Sequence, residues 1–523
     1  MTVEKHGFHL TALTREKLDR VKRDVRYKEL MLEDIAYFKS ILPETSVLER
    51  DAISPQEHAK YVCDWYNVYR ADTPLILLPE STEQVSKILK YCNDNHLAVV
   101  PQSGNTGASG GCIPVFDEII VSTQKMNKIR SFDPLRGDLI CDAGCVLQDL
   151  DDALAESGFQ IPLDLPARHL CRIGGNISTN AGGIRQMRFG NLHGSVMGLE
   201  VVLPDGSVID NLTTMRKDNT GYHLKNLFIG SEGTLGIVTG VSIATVRIRK
   251  AVNVFMIALQ SFEDVTKLFA AAKRDLSETI AAFEVMDNET IHVVKEQDFQ
   301  VPKGSEFPIS DQHPFYVTLE TAGTEPEIER VRAEKFLNTM LLQGLALQGA
   351  IARTQDQIER FWSWRNNVPK AIVQTGPSSI HFDVSLPLPL LYKLIEDTRA
   401  WAISEGMIGR DLVNIYGYGH VGDGNMHLTI PALRDDESVR EKIDDYVYEW
   451  VAKYQGSCSA EHGIGLMKSP YLSFTKSSTV IAHMRKIKEA FDPNGIMNPY
   501  KVFPTKEQEQ HGEIVRKRAQ AGC

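Results

Sequence analysis

The 523-residue sequence has no run of about 18 consecutive apolar residues, which excludes a transmembrane helix. Its eight cysteines (Cys63, Cys92, Cys112, Cys141, Cys145, Cys171, Cys458 and Cys523) contain no C-x-x-C pair and no dense cluster. An iron–sulfur cluster or a cysteine-built zinc site is therefore excluded, and the thiols read as reduced groups of an intracellular protein. Positive charge is also short: a net charge of -11 and a pI of about 5.8 argue against nucleic acid as a partner, so an anionic substrate needs locally concentrated cations. The N-terminus lacks an apolar stretch and mixes Glu4, Glu16, Asp19 and Asp24 among its basic residues. Neither a secretory signal nor a transit peptide is expected from it, which leaves cytoplasm or mitochondrial matrix. Repeats, low-complexity tracts and Ser/Gly linkers are absent. What remains, 42% hydrophobic and 24% charged, is a soluble globular chain long enough for two or three tightly packed domains.

Residues 1 to about 55 carry helical spacing, as in Thr14 to Tyr27 and Leu32 to Ile41, and no functional signal. Ser81 and Gln84 form an S-x-x-Q capping box ahead of Val85, Ile88, Leu89 and Cys92, and a buried strand is expected at Leu97–Val100. That strand runs into PQSGNTGASGG, residues 101–111, with four glycines in eleven residues. Such a loop is either a simple tight turn or a surface of backbone amides turned towards an anion. Two more polar, glycine-rich stretches follow, IGGNISTNAGGI at 173–184 and GSEGTLGIVT at 230–239. None has the G-x-G-x-x-G spacing of a dinucleotide turn, but three of them together suggest a long cofactor held along its length by main chain and short side chains.

From 251 onwards strands alternate with helices: Val252–Leu259, a helix near Val265–Lys273, Phe283–Met286, Phe315–Glu320, and a helix near Glu327–Leu342. This order suits a split βαβ domain, followed by helices at 388–405 and 438–454. Within it, YGYGHVGDGNMHLT (416–429) sets His420 and His427 on either side of a glycine and aspartate turn. The turn allows both imidazoles to converge on one metal, given a third ligand from elsewhere; ordinary structural histidines are the alternative.

The motifs PQSGNTGASGG, IGGNISTNAGG, RFGNLHGSVMGLEVVLPDG, RKDNTGYHLKNLFIGSEGTLGIVTG, GHVGDGNMH, SAEHGIG and FDPNGIMNPYK stand here in order. Together they resemble the flavin-dependent D-2-hydroxyacid dehydrogenases, the D-lactate and D-2-hydroxyglutarate dehydrogenases of the vanillyl-alcohol oxidase superfamily, with most similarity to the fungal members, over residues 30 to 504. The resemblance implies an α+β fold: a helical extension (1–54), a PCMH-type FAD-binding domain (55–250), a split βαβ, ferredoxin-like substrate domain (251–456), and a C-terminal helical segment returning to the flavin (457–523). It implies that Pro101, Gly104, Asn105, Thr106 and Gly107 hold the FAD phosphates, joined by Gly175, Ser178, Asn180, Gly182 and Gly183. Glu232, Gly236, Ile237 and Val238 match the segment around the adenosine half, and Asn498 a residue near the isoalloxazine. Ser103 stands where glycine is common. The loops carry no signature of covalent attachment, so the FAD is expected to be dissociable.

The resemblance also implies that His420, His427 and Glu461 bind zinc or another divalent ion, a donor set that leaves positions open for substrate. His462 matches the family's base, and Arg365 the arginine that binds the substrate carboxylate. Two positions depart from the family's D-2-hydroxyglutarate enzymes: His381 replaces a lysine that meets the distal carboxylate, and Thr429 an asparagine beside His427. Both weaken the case for a dicarboxylate and favour D-lactate or another monocarboxylate. The expected reaction is oxidation of a D-2-hydroxy acid to the 2-oxo acid with an external electron acceptor, oxygen and a second 2-oxo acid included. A homodimer is compatible with the resemblance. A zinc hydrolase and a flavin-binding protein without turnover are the alternatives. The first leaves the glycine loops without a purpose, and the second leaves His420, His427, Glu461 and His462 without one.

Overall fold

The computed structural model describes residues 12–18, 21–297 and 306–521. The first half is built on two sheets. In the smaller, four strands run in the order Val47–Glu49, Leu75–Leu77, Ile119–Ser122, Val99–Gln102. Helix Thr82–Asp94 covers it, burying Val85, Ile88, Leu89 and Cys92, the residues with helical spacing. Its cap differs in detail from the expected box. Ser81 accepts the Gln84 N–H at 3.3 Å, but the Gln84 carboxamide reaches back one residue further, to the Glu80 N–H at 2.6 Å. The larger sheet has five strands, Ile129–Asp133, Asp138–Asp142, Ile237–Ala244, Val196–Val202 and Val208–Asn211, in spatial order.

The second half is a seven-stranded sheet in the order Gln348–Ala352, Ala251–Leu259, Phe315–Gly323, Ile280–Asp287, Tyr416–His420, Asn425–Ala432, Ser378–Ser385, every neighbouring pair antiparallel. Phe315–Gly323 lies between Ala251–Leu259 and Ile280–Asp287, which the helix Phe262–Asp275 connects; this is the split βαβ arrangement. Helices Phe262–Asp275, Pro326–Leu342, Lys393–Ser404 and Glu437–Lys453 pack one core, while Asn288–Glu296 and Gln355–Val373 pack another with Met256, Tyr316 and Tyr418. Being covered on both sides explains why these strands read as apolar runs and not as alternating patterns.

The C-terminal segment comes back to the first half. The Val99 N–H donates to Ile496 O at 2.8 Å and the Asn498 N–H to Val99 O at 2.7 Å, so residues 496–498 extend the edge strand beside the first glycine loop. The architecture is the expected α+β one: a first half built on two sheets, a split βαβ domain, and a C-terminal helical segment that includes Ser478–Phe491 and Lys506–Ala521.

Some local expectations shift. The helix expected over Thr14–Tyr27 is helical only at Thr14–Lys17; residues 19 and 20, like Glu4 and Cys523, lie outside the described residues. Tertiary contacts claim the rest: Arg23 pairs with Asp117 at 2.6 Å and the Tyr27 hydroxyl donates to Gly495 O at 2.6 Å. The strand expected at Leu97–Val100 is displaced to Val99–Gln102, and the helix expected from 388 begins at Lys393, after a short 3-10 turn bounded by Pro387. The seven cysteines among the described residues are free thiols.

Candidate active site

The hairpin Tyr416–His420 and Asn425–Ala432 pairs Tyr418 with His427 and His420 with Asn425. Its turn closes through Gly424 at φ 80° and packs against the first half through Gly422, where a Cβ would sit 2.5 Å from the Met187 sulfur. The two imidazoles leave the sheet on one face, their centroids 5.1 Å apart. They meet Glu461 on the turn that follows Ser459. The Nε2 atoms of His420, His427 and His462 lie 3.6, 3.5 and 3.7 Å from Glu461 Oε1. In a tetrahedral zinc site with bonds of about 2.0–2.1 Å the ligand atoms are about 3.3 Å apart, and the His420 and His427 nitrogens lie near that distance from Glu461 Oε1.

Asp383, His427, Glu461 and His462 also bring one ligand atom each within 4.8 Å of one another. Asp383, however, faces the opposite ring nitrogens, 4.0 Å from His427 Nδ1 and 3.8 Å from His462 Nδ1. Its Oδ2 is already engaged by the N–H groups of Ala460, Glu461 and His462, at 3.1, 3.0 and 2.9 Å, and by the buried Lys468 ammonium at 3.3 Å. It fixes the turn that carries Glu461 and His462, and the Nε2 side is left for a ligand. Glu461 Oε2 accepts the Gly183 N–H at 2.8 Å, which ties the cluster to the second glycine loop.

A second buried carboxylate links the metal edge to the arginine. Glu284 Oε1 meets His420 Nδ1 at 2.7 Å, and Oε2 accepts from Arg365 Nε at 3.1 Å and Nη2 at 2.9 Å. Arg365 projects from helix Gln355–Val373 with its guanidinium 5.0 Å from the centre of the Tyr418 ring. Burial opposes charge on His420, and the Glu284 carboxylate overcomes it and raises the imidazole well above its ordinary range. Burial and the charge of His420 push His427 down to about 3, which keeps it neutral, the form in which imidazole binds a metal.

His381 and Thr429 are cross-strand neighbours on the same sheet. His381 Nε2 meets Ser379 Oγ at 2.7 Å and Nδ1 meets Thr429 Oγ1 at 3.4 Å, while Thr429 Oγ1 meets the Tyr418 hydroxyl at 3.2 Å. Burial, then the charge of Arg440, pushes His381 down to about 3, far below an ordinary histidine.

The three glycine loops converge from the other side. Among the described residues, no hydrogen bond employs the backbone amides of Gly104, Asn105, Thr106 or Gly107. A Cβ at Gly104 would lie 2.6 Å from Leu170 O, whereas one at Gly107 would meet nothing within 4 Å. Asn105, at φ 50°, donates its carboxamide N–H groups to Lys60 O at 2.9 Å and Cys63 O at 2.8 Å, so its side chain braces the loop. Gly175 lies against Ser103, and a Cβ at Gly182 would sit 2.9 Å from Glu461 Oε2. The Ser178 hydroxyl donates to Gly174 O at 2.8 Å, and Asn180 Oδ1 meets His193 Nδ1 at 3.1 Å. Glu232, at φ 52°, accepts the N–H groups of Ile464 and Gly465, both at 2.7 Å, and Pro101 packs on Gly233. Gly236 lies against Val202 O, and Ile237 and Val238 are buried in the strand that follows. The Asn498 side chain donates to Gly111 O at 2.9 Å and Glu232 O at 2.7 Å, while its buried Oδ1 has no partner. The glycine loops and the histidine cluster are thus joined through Gly183, Glu461 and Glu232.

Comparison with known proteins agrees with this layout. Among solved structures, the 4-ethylphenol oxidase of Gulosibacter chungangensis superposes with a TM-score of 0.69 at 17% identity, covering 92% of this chain and 99% of that one. An alkyldihydroxyacetonephosphate synthase gives 0.68 at 15%, covering 92% and 88%. These likenesses establish the fold. Residues 73–211 match the family described as FAD binding domain, and residues 248–502 the family described as FAD linked oxidases, C-terminal domain. The D-2-hydroxyglutarate–pyruvate transhydrogenase of Saccharomyces cerevisiae is 45% identical over 494 residues, 94% of this chain and 98% of that protein. The mitochondrial D-2-hydroxyglutarate dehydrogenases of Arabidopsis thaliana and Danio rerio are 45% and 42% identical over 92% and 91% of this chain, covering 84% and 86% of their own lengths.

The chain belongs to the FAD-dependent D-2-hydroxyacid dehydrogenases.

As a member of that family it carries an FAD-binding domain, and the free amides of Gly104 to Gly107 have the chemistry an FAD pyrophosphate requires. The histidine and glutamate cluster fits a divalent cation by donor type and spacing. Reading of the sequence overlooked Asp383, Glu284 and Lys468. An acidic residue inside an apolar strand, as in Ile280–Asp287 (IAAFEVMD), was the available signal, since a buried carboxylate must have partners.

Proposed function

We propose that the enzyme oxidises a D-2-hydroxy acid to the corresponding 2-oxo acid at the junction of the glycine loops and the histidine cluster. The observation that carries this reading is the convergence of His420, His427 and His462 on Glu461 Oε1, with Glu461 Oε2 bonded to Gly183 of the flavin-binding half. Arg365 orients the substrate carboxylate: Glu284 occupies its Nε and Nη2, and no described residue hydrogen-bonds its Nη1. His420, His427 and Glu461 would hold a divalent ion, which would supply Lewis acidity at the α-hydroxyl. His462 takes the hydroxyl proton at Nε2; its Nδ1 faces Asp383, which favours the tautomer with the proton on Nδ1. FAD, when bound, would supply the two-electron acceptor for this oxidation.

The side-chain subsite lacks the distal lysine and presents His381 and Thr429, which favours D-lactate or another monocarboxylate over a dicarboxylate. The external acceptor is open between a redox protein, a quinone, oxygen and a 2-oxo acid; the name of the yeast relative, a transhydrogenase with pyruvate, supports the last. Relatives from Arabidopsis thaliana and Danio rerio are named mitochondrial, and the matrix is the compartment we favour; no described helix is long and apolar enough to cross a membrane.

The test is anaerobic addition of D- and L-2-hydroxy acids to the flavin-loaded protein. D-acids are expected to bleach the flavin and L-acids to leave it oxidised. Failure of every D-acid to bleach it overturns the reading.

A further inference from the structure

The loop Asp64–Tyr69, which precedes the matched family domain at 73–211 and carries none of the motifs, reaches from the flavin-binding half to His381. It is a tight loop closed at its base by the Cys63–Arg70 bridge. The Asp64 N–H donates to Tyr69 O at 3.1 Å, the Asn67 N–H to Asp64 O at 3.0 Å, and the Tyr69 N–H to Asp64 Oδ1 at 2.7 Å, with Asn67 at φ 58°. The loop is fastened to the first glycine loop at two points. Asn105 donates to Cys63 O, and the buried Tyr69 ring covers Gly110, where a Cβ would lie 2.6 Å from Tyr69 Cδ2. Its tip is therefore held rigidly, and the tip carries Tyr66.

The Tyr66 ring stacks on His381, centroids 4.1 Å apart and planes 17° from parallel. Both His381 nitrogens are already engaged by Ser379 and Thr429, and one ring face lies under Tyr66, so His381 has no polar atom left to offer a substrate. The Tyr66 hydroxyl differs. No hydrogen bond among the described residues engages it, and it is not among the sealed-off polar atoms of the interior. Burial, then the proximity of Tyr418, Asp383, Asp64 and Glu461, raises its pKa above the ordinary tyrosine range and keeps it a neutral donor. Arg440, a cation close enough to act on His381, spends an N–H on Ser379 O at 3.4 Å.

We infer that Tyr66 determines specificity at the side-chain end of the substrate: its ring caps His381 and closes the space a second carboxylate would enter, and its hydroxyl offers a neutral hydrogen bond. The substrate class is a D-2-hydroxy monocarboxylic acid with a short, uncharged side chain, such as D-lactate or D-glycerate. This rests on the reading of Arg365 and His462 as the residues that hold the hydroxy acid.

The experiment measures anaerobic flavin reduction by D-lactate, D-glycerate and D-2-hydroxyglutarate for the holoenzyme and the variants Tyr66→Leu and Tyr66→Phe. The wild type is expected to favour the monocarboxylates, and Tyr66→Leu to move the kcat/KM ratio of D-2-hydroxyglutarate to D-lactate upwards by about tenfold or more. Tyr66→Phe, which keeps the ring, is expected to lower the kcat/KM ratio of D-glycerate to D-lactate by about 2- to 10-fold. A merely structural tyrosine would lower all three substrates together. Reduction of the flavin with unchanged ratios in both variants overturns the assignment of Tyr66 alone, as does a wild-type preference for D-2-hydroxyglutarate; loss of that preference in Arg440→Met would then move the distal contact to Arg440. Failure of all three acids to reduce the wild-type flavin overturns the underlying reading and the Tyr66 assignment with it.

Discussion

The two halves of the proposed site present opposite means of holding a ligand. The flavin side offers main chain: glycine loops whose amides at 104–107 bond to no described residue and whose side chains mostly bond back into the protein. The proposed metal side offers side chains backed by buried carboxylates: Glu284 behind His420 and Arg365, Asp383 behind the turn of Glu461 and His462. A main-chain cradle tolerates changes to side chains that point away from it and fails where a Cβ intrudes. A side-chain cluster is sensitive to groups that never touch the substrate. The comparison breaks most visibly at Glu284. Glu284→Gln removes the charge that orients His420 and Arg365, and kcat/KM is expected to fall by about 10- to 100-fold with divalent metal content falling alongside. The flavin spectrum should stay intact, and coincident loss of flavin would show that the two halves are not separable in this way.

The converse change belongs to the cradle. At Gly104→Ala the new methyl meets Leu170 O at 2.6 Å, a backbone atom that cannot swing aside. The loop must shift, at a cost of about 1–3 kcal/mol, and FAD affinity is expected to drop by about tenfold or more. Activity at saturating FAD should be retained, together with the metal. Because the attachment is expected to be non-covalent, acid precipitation of either protein should release the flavin to the supernatant, and yellow colour in the pellet would contradict that.

The same contrast explains what the sequence could disclose. Glycine loops and the histidine turn are local, so PQSGNTGASGG and GHVGDGNMH could be read as a cradle and a ligand pair without knowing what lies across from them. The hairpin confirms that His420 and His427 share a face, because Tyr418 rather than His420 is the cross-strand partner of His427. The carboxylates behind them were not legible in the same way. Glu284 is 136 residues from His420 and Asp383 is 79 from His462, and nothing in either strand names its partner. Tyr66 was hidden for a related reason: its loop has no glycine signature, and its target, His381, is borne on the other half of the molecule. The N-terminal helix failed differently, since its residues bond to Asp117 and Gly495 instead of continuing a helix whose spacing they possess.

The smallest expected effect is a null one, and it tests whether His381 belongs with the neutral side of the comparison. At an ordinary pKa of about 6.5, a histidine would be mostly cationic at about pH 5 and would attract a second carboxylate as pH falls. Burial and Arg440 instead push His381 down to about 3. The direction is fixed by the cation beside it and by the low polarity around it, both of which disfavour the charged form. With a pKa near 3, about 1% of His381 is protonated at about pH 5, and the fraction at about pH 8 is negligible. The ratio of kcat/KM for D-2-hydroxyglutarate to that for D-lactate should therefore stay flat between these limits. Taking the ratio cancels the titration of groups that serve both substrates. A ratio that climbs steeply below about pH 6.5 would show that His381 takes up a proton and serves as a distal cation, and Tyr66 would then be stacking on a charged ring.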